Sequence, residues 1–161
     1  MKIIEYNEKY DEQIKDLLVE LQNYLIEIDD WNTQILHKDY RDEYFKIDMN
    51  MVKDYNGKIY LAEQNKEIVG MIIGIVQERD KIDYITNDCA KTGVVLELIV
   101  KKDIRGKGAG KILLNEIEKY FKSINCKRIS IDVFGPNKDA YNFYYKNGYI
   151  EREVFMGKKM N

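Results

Sequence analysis

The chain holds one proline, one histidine and two cysteines in 161 residues, and each scarcity closes off a class of function. His37 is the sole histidine, so a zinc site, a Cys-His pair and a Ser-His-Asp triad are all poor readings; a lone imidazole has no second metal ligand of its kind. Cys89 and Cys126 are far apart and match no zinc or redox spacing. No metal is expected, His37 reads as an ordinary surface imidazole, and a reduced, cytoplasmic setting fits. With so little proline and no Ser/Gly-rich or low-complexity tract, no linker is visible, nor is there an internal repeat. A single domain over residues 1–161 is the expectation. Long hydrophobic runs are lacking too. The longest, Ile68 to Val76, has nine residues and is interrupted by Gly70 and Gly74, whereas a membrane-spanning helix needs about 20. The start, Met1-Lys2-Ile3-Ile4-Glu5, carries no apolar leader segment. Net charge is only −2, which does not suggest nucleic acid as a partner.

What is present is a core-forming composition, 45% hydrophobic and 12% aromatic. Charge is unevenly spread: residues 1–60 carry 8 Lys/Arg against 14 Asp/Glu, and residues 61–161 carry 18 against 14. Ile14, Leu17, Leu18, Leu21 and Leu25 fall at helical spacing, predicting a helix from Asp11 to Ile28 with Asp11 as its cap. A weaker helix is expected from Asp42 to Asp54, ended by Asn56-Gly57. Residues 2–6 read as a short strand. Lys58 to Gln64 and Glu67 to Glu78 read as strands turned by Asn65-Lys66. Arg79 to Gly93 reads as a long polar loop, a length that hints at function. Val94 to Val100, apolar on both faces, marks a central strand. A helix over Gly108 to Ser123 follows, with Leu113, Ile117, Tyr120, Phe121 and Ile124 on one stripe. Arg128 to Phe134 alternates like a strand, making a βαβ unit with parallel strands and a right-handed crossover. Asn137 can cap a last helix to about Asn147, with Gly148 closing it. Tyr149 to Met160 is strand-like and compatible with a tight hairpin.

Two features of this pattern carry chemistry. Between the Val94–Val100 strand and the next helix lies Arg105-Gly106-Lys107-Gly108-Ala109-Gly110-Lys111. Glycines there allow positive φ and close approach, and the helix start offers unpaired N–H groups and a positive dipole end. Such a turn suits phosphate or pyrophosphate. A P-loop is disfavoured, because its first glycine position is Arg105 and its metal-binding hydroxyl position is Ile112. A dinucleotide fingerprint is disfavoured because Lys111 occupies its third glycine position. The bland alternative is a tight turn with a solvated cationic rim. The second feature is Glu97, the one charge in an apolar strand, where an unpaired carboxylate is costly.

The turn Arg105 to Gly110 resembles the R/Q-x-x-G-x-G/A signature of the GNAT acyl-CoA N-acyltransferase superfamily. Asn137-Lys138-Asp139-Ala140-Tyr141-Asn142-Phe143-Tyr144-Tyr145-Lys146-Asn147-Gly148-Tyr149 is similar to that family's N-x-x-A-x-x-F-Y-x-x-x-G-F/Y segment. The resemblance covers the whole chain, since the order of strands and helices agrees as well. It implies an α/β (α+β) fold: a mixed, mostly antiparallel central sheet with a parallel βαβ unit at its splayed centre, flanked by helices. It also implies acetyl-CoA as cosubstrate. Backbone N–H groups from Arg105 through Gly106, Lys107, Gly108 and Ala109 to Gly110 would hold the pyrophosphate, with charge from Arg105, Lys107 and Lys111. Leu98, Ile99 and Val100 would pair with the pantetheine arm where the fourth and fifth strands splay, and an N–H near Leu98 or Ile99 would donate to the carbonyl oxygen. Asn137 would touch the arm or serve only as a cap.

Acetyl transfer to an amine also needs a base, since a primary amine with a pKa of about 10.4 arrives protonated. Glu97 is the candidate base, with a structural ion pair or an ammonium counterion as the alternatives. Tyr144 is the candidate acid for the leaving thiolate, against the alternative of a packed aromatic beside Tyr141, Phe143 and Tyr145. Two other functions stay open: a non-catalytic acyl-CoA-binding sensor, which would not need Glu97 with Tyr144, and a small nucleotide-binding protein, which needs the turn only. The acceptor is expected to be a cationic small amine or a peptide amino group. Glu27, Asp29 and Asp30 end the first helix, Asp42 and Glu43 open the second, and Asp80, Asp83 and Asp88 lie in the loop. Like charges so clustered would attract a cation, with Trp31 and Tyr40 as ring faces. A homodimer through the C-terminal segment is compatible with the sequence.

Overall fold

A computed structural model describes residues 1–160. Five strands form one sheet in chain order: β1 (Lys2–Glu5), β2 (Lys58–Gln64), β3 (Glu67–Val76), β4 (Thr92–Val100) and β5 (Arg128–Ile131). The first three pairings are antiparallel and β4–β5 is parallel. The β2–β3 hairpin turns on Asn65 and Lys66, both at positive φ, a conformation that matches the twist of the flanking strands. The parallel pair requires a crossover, and α4 (Ala109–Ser123) supplies it.

Helices cover both faces. α1 (Asp11–Ile28) and α2 (Tyr40–Asp54) lie on one, where Ile14, Leu17, Leu18 and Phe45 pack with Leu61, Met71 and Ile73. α4 and α5 (Lys138–Lys146) lie on the other, where Leu113, Leu114, Ile117 and Phe121 meet Ile72 and Val95. β3 is therefore buried on both faces, as its nearly unbroken apolar run requires. α4 rests directly on the strands because Gly74 and Gly93 lack a side chain. A Cβ at Gly93 would stand 2.5 Å from the Phe121 ring.

Several expectations change in detail. Asp11 is not the cap of α1. Asn7 caps a short 3-10 turn, Glu8–Tyr10, that runs into the helix, and Asp11 instead accepts the Tyr6 hydroxyl at 2.7 Å. The long loop contains α3 (Lys81–Thr86), held by a reciprocal capping box in which Asp80 and Asp83 each accept the other's backbone N–H. Tyr149 to Met160 forms no strand. The charged run Glu151-Arg152-Glu153 breaks any alternation, and Val154, Phe155 and Met156 are exposed. With no strand beyond β5 among the described residues, the βαβ unit lies at the edge of the sheet instead of its centre.

Candidate active site

The sheet opens between β4 and β5. Thr92 to Val95 pair with Arg128 to Ile131, and the pairing ends there, while β4 follows β3 as far as Val100 opposite Gly70. Leu96 to Val100 thus have one free edge. Backbone alternation decides which groups face it. Lys101 N–H donates to Val69 C=O at 2.9 Å, so Ile99 also points at β3, and Leu98 and Val100 point into the opening. Arg105 confirms the direction by donating from Nε to Val100 C=O at 3.0 Å. Of the three residues expected along the pantetheine arm, Leu98 and Val100 offer backbone groups to the gap, and Ile99 bonds β3 and buries its side chain.

A bulge at Leu96 sets the direction of Glu97. Val95 lies opposite Gly74 and Glu97 opposite Ile73, leaving Leu96 as the extra residue. Val95 and Leu98 pack toward α4, whereas Glu97 turns to the α1–α2 face with Ile73 and Ile99. There its carboxylate, 8% exposed, accepts the Tyr44 hydroxyl at 2.8 Å. Tyr44 stacks on Tyr40 with ring centroids 4.8 Å apart. One turn further along α2 is Asp48, 4% exposed, whose Oδ2 has no hydrogen-bond partner among the described residues. Burial pushes Asp48 up to about 7. Burial first, and the Asp48 charge second, push Glu97 up to about 7 against the lowering effect of the Tyr44 hydrogen bond. No lysine, arginine or histidine among the described residues pairs with either carboxyl group.

Tyr144 belongs to the α4–α5 side, in the cluster against which Leu98 and Val100 also pack, across the sheet from Glu97. It is 7% exposed and sits edge-on to Phe143 and Tyr149, at 5.1 and 5.6 Å between centroids. The end of α5 holds it there. Tyr149 N–H bonds Tyr144 C=O and Gly148 N–H bonds Tyr145 C=O, both at 3.1 Å, with Gly148 at φ +89°, the two-bond stop that an αL glycine permits. Burial, and then the charge of Glu97, push the Tyr144 phenol well above its ordinary range, so it is protonated at neutral pH. Asn137 is the cap expected of it: its side-chain oxygen accepts Ala140 N–H at 3.1 Å.

The glycine turn borders the same opening. Ile104 anchors it in the core, and Gly106 and Gly108 take φ of +77° and +87°. Gly108 begins α4 with no side-chain cap. The first helical bond runs from Ile112 N–H to Gly108 C=O, so the N–H groups of Ala109, Gly110 and Lys111 have no helical partner. A Cβ at Gly106 or Gly108 would project into open space. The turn therefore fits a pyrophosphate: bare donors, a positive helix end, room, and the exposed cations Lys107 and Lys111. Arg105 is partly engaged, with its guanidinium 4.9 Å from the centre of the Tyr24 ring. Lys101 is paired with Glu67.

The acidic residues expected around the acceptor are largely occupied. Asp29 is buried and accepts the backbone N–H groups of Trp31, Thr33 and Gln34 and the Thr33 hydroxyl. Burial opposes its charge, but those bonds outweigh it and hold Asp29 down to about 2. It shapes the loop between α1 and α2. Asp42 pairs with Lys15 at 2.8 Å, Asp88 pairs with Arg128, and Asp80 and Asp83 cap α3. Trp31 lies beneath the tail, with Lys159 5.8 Å from its ring centre. Asp48 is the acid that sequence reasoning missed. Its signal was its place on the Tyr40, Tyr44, Asp48 stripe of α2, four residues apart each time.

Comparisons with known proteins agree with this geometry. The model of the Acetyltransferase (GNAT) family matches residues 22–149. An uncharacterized N-acetyltransferase of Methanocaldococcus jannaschii is 35% identical over 101 residues, 62% of this chain and 57% of that protein. Acetyltransferase PseH of Campylobacter jejuni is 29% identical over 107 residues, 66% of this chain and 59% of that protein. Each match spans less than two thirds of the relative's own length. In fold, a variant of the BH1408 protein of Bacillus halodurans superposes with a TM-score of 0.80 at 19% identity, over 100% of both chains. The aminoglycoside 6'-N-acetyltransferase of Acinetobacter haemolyticus gives 0.68 at 19% identity, also over 100% of both. With the family model spanning both motifs and the opening between them, the chain belongs to the Acetyltransferase (GNAT) family.

Proposed function

We propose that the chain is an acetyl-CoA-dependent N-acetyltransferase that moves the acetyl group to a primary amine by direct attack in a ternary complex. The observation that carries this reading is the gap beside Leu98 and Val100, with buried Glu97 on one face and protonated Tyr144 on the other. When bound, acetyl-CoA supplies an acetyl group activated as a thioester. Arg105 N–H donates to Lys101 C=O and Lys107 N–H to Ile104 C=O. Of the turn's backbone, the N–H groups of Gly106, Gly108, Ala109, Gly110 and Lys111 are thus left to hold the acetyl-CoA pyrophosphate, with charge from the side chains of Arg105, Lys107 and Lys111. Leu98 and Val100 hold the pantetheine arm as an added strand, and Leu98 N–H donates to the carbonyl oxygen as charge builds on it. Asn137 keeps α5 in place as its cap.

Glu97, ionising near neutral pH, takes the proton of the acceptor's ammonium group. The freed amine forms the C–N bond as the C–S bond breaks. Tyr144 donates its proton to the departing sulfur, and the second proton shed by the nitrogen restores the phenol. One proton is released overall, through Glu97.

A cationic small amine or a peptide amino group fits as acceptor. Glu97 and Asp48 lie without a cation under the Tyr40–Tyr44 stack, which presents ring faces to an ammonium group. Calorimetric titration with acetyl-CoA, ATP and NAD, followed by acetylation of a panel of diamines, polyamines, aminoglycosides, amino acids and peptides, tests the proposal. Acetyl-CoA is expected to bind and cationic amines to be acetylated. Binding of ATP or NAD in its place would refute the transferase reading. Preference for acceptors of net negative charge would refute the acceptor class.

A further inference from the structure

Among the described residues, Asp48 Oδ2 is the sole buried side-chain polar atom without a hydrogen-bond partner. A buried carboxyl group left in that state is expensive. Its place is informative. Tyr40, Tyr44 and Asp48 form one stripe of α2, and the hydrogen bond from Tyr44 to Glu97 puts that stripe over the β4 bulge. The titratable groups facing the compartment are Tyr40, Tyr44 and Asp48 from α2 and Glu97 from β4, while Tyr144 of α5 lies on the other face of the sheet and is reached by the Glu97 charge. α1 and β3 contribute apolar side chains: Leu17, Leu18 and Leu21 from one, Met71 and Ile73 from the other. Two buried carboxyl groups within reach of each other's charge, with no cation paired to either, do not both ionise freely, and they titrate as a pair.

We propose that Asp48 is a positioning residue for acetyl transfer: it shares one proton with Glu97 beneath Tyr44, and thereby sets the pH range in which Glu97 can accept a proton from the acceptor. The proposal rests on Glu97 being the base. Asp48 need not touch the acceptor. It acts through Glu97, and an arriving ammonium group meets a pair that already carries one negative charge.

The test is carboxyl-carbon NMR on the 13C-labelled, ligand-free protein over a pH series, for wild type, Asp48→Asn and Glu97→Gln. In Asp48→Asn the Glu97 midpoint should fall by about one pH unit or more, and the acidic limb of kcat/KM should move to lower pH by the same amount. In Glu97→Gln the Asp48 midpoint should fall equally, because coupling between two sites is reciprocal. A Glu97 midpoint unmoved in Asp48→Asn would overturn the proposal. If that variant does not fold, an Asp48 midpoint unmoved in Glu97→Gln overturns it instead. An active transferase with uncoupled titrations refutes the shared proton alone. Coupled titrations in a protein that acetylates no amine refute the transferase reading and leave the pair standing.

Discussion

Glu97→Gln should change how folding stability depends on pH, in a direction opposite to that of most paired carboxylates. Folding raises Glu97 from 4.5 to about 7. At about 1.4 kcal/mol per pH unit, its charge therefore costs the folded state about 3 kcal/mol once fully ionised. The sign follows from proton counts. Between pH 4.5 and about 7 the unfolded chain has lost this proton and the folded chain has kept it, so stability falls as pH rises through that window and levels off above it. Asp48, raised from 3.8 to about 7, acts in the same sense. The glutamine side chain of the variant keeps a similar shape and can still accept the Tyr44 hydroxyl, yet it carries no charge. The stability of the variant relative to wild type should therefore grow by about 3 kcal/mol between pH 4 and pH 8. Comparing the two proteins across pH cancels any constant packing cost of the substitution. Urea unfolding at each pH reads the difference directly, and for a domain of this size the gap in Tm should widen by roughly 6–12 °C. A gap that stays flat from pH 4 to pH 8 would refute the burial argument for Glu97.

Gly108→Val should leave the fold standing, since its Cβ meets nothing, but φ of +87° is strained for a β-branched residue by about 1–3 kcal/mol. The turn is expected to relax to another conformation and acetyl-CoA affinity to fall at least about tenfold, measured by calorimetry; undiminished affinity would refute the pyrophosphate placement. Tyr144→Phe should lower turnover by about 10²-fold or more with acetyl-CoA affinity kept, the scale of a positioned proton donor. Glu97→Gln should lower turnover and abolish the acidic limb of the pH–rate profile. Wild-type turnover in both variants with a good acceptor would refute the acid and base roles.

Much of this fold is legible in the sequence because local and tertiary signals coincide. The leucine stripe of α1 and the apolar stripe of α4 are strong enough to place both helices within a residue of their observed spans. Asn65-Lys66 and Gly148 mark the turn and the helix stop that the backbone adopts. Glu97 stands out because a charge in an apolar strand has few explanations. The bulge at Leu96, which decides the face to which Glu97 turns, has neither glycine nor proline on β4 itself. Gly74, where the register shifts on β3, is the one trace of it in the sequence, and it does not say which β4 residue is the extra one. Asp48 is hidden for a related reason: α2 has a weak apolar pattern, and an aspartate within it reads as solvated. The acidic cluster misleads in the other direction. Charge counting cannot tell that Asp29 is closed upon its own loop or that Asp42 is paired with Lys15.

Direct transfer between acetyl-CoA and an amine held together at the β4–β5 opening is the central claim, and a two-substrate initial-rate study tests it most directly. Acetyl-CoA and a cationic amine are varied against each other, and CoA thiol release is followed. Intersecting double-reciprocal lines, with no acetylated protein detected by mass spectrometry when amine is omitted, are the predicted result. Parallel lines together with an acetyl group carried on the protein, for example on exposed Cys89, would contradict it.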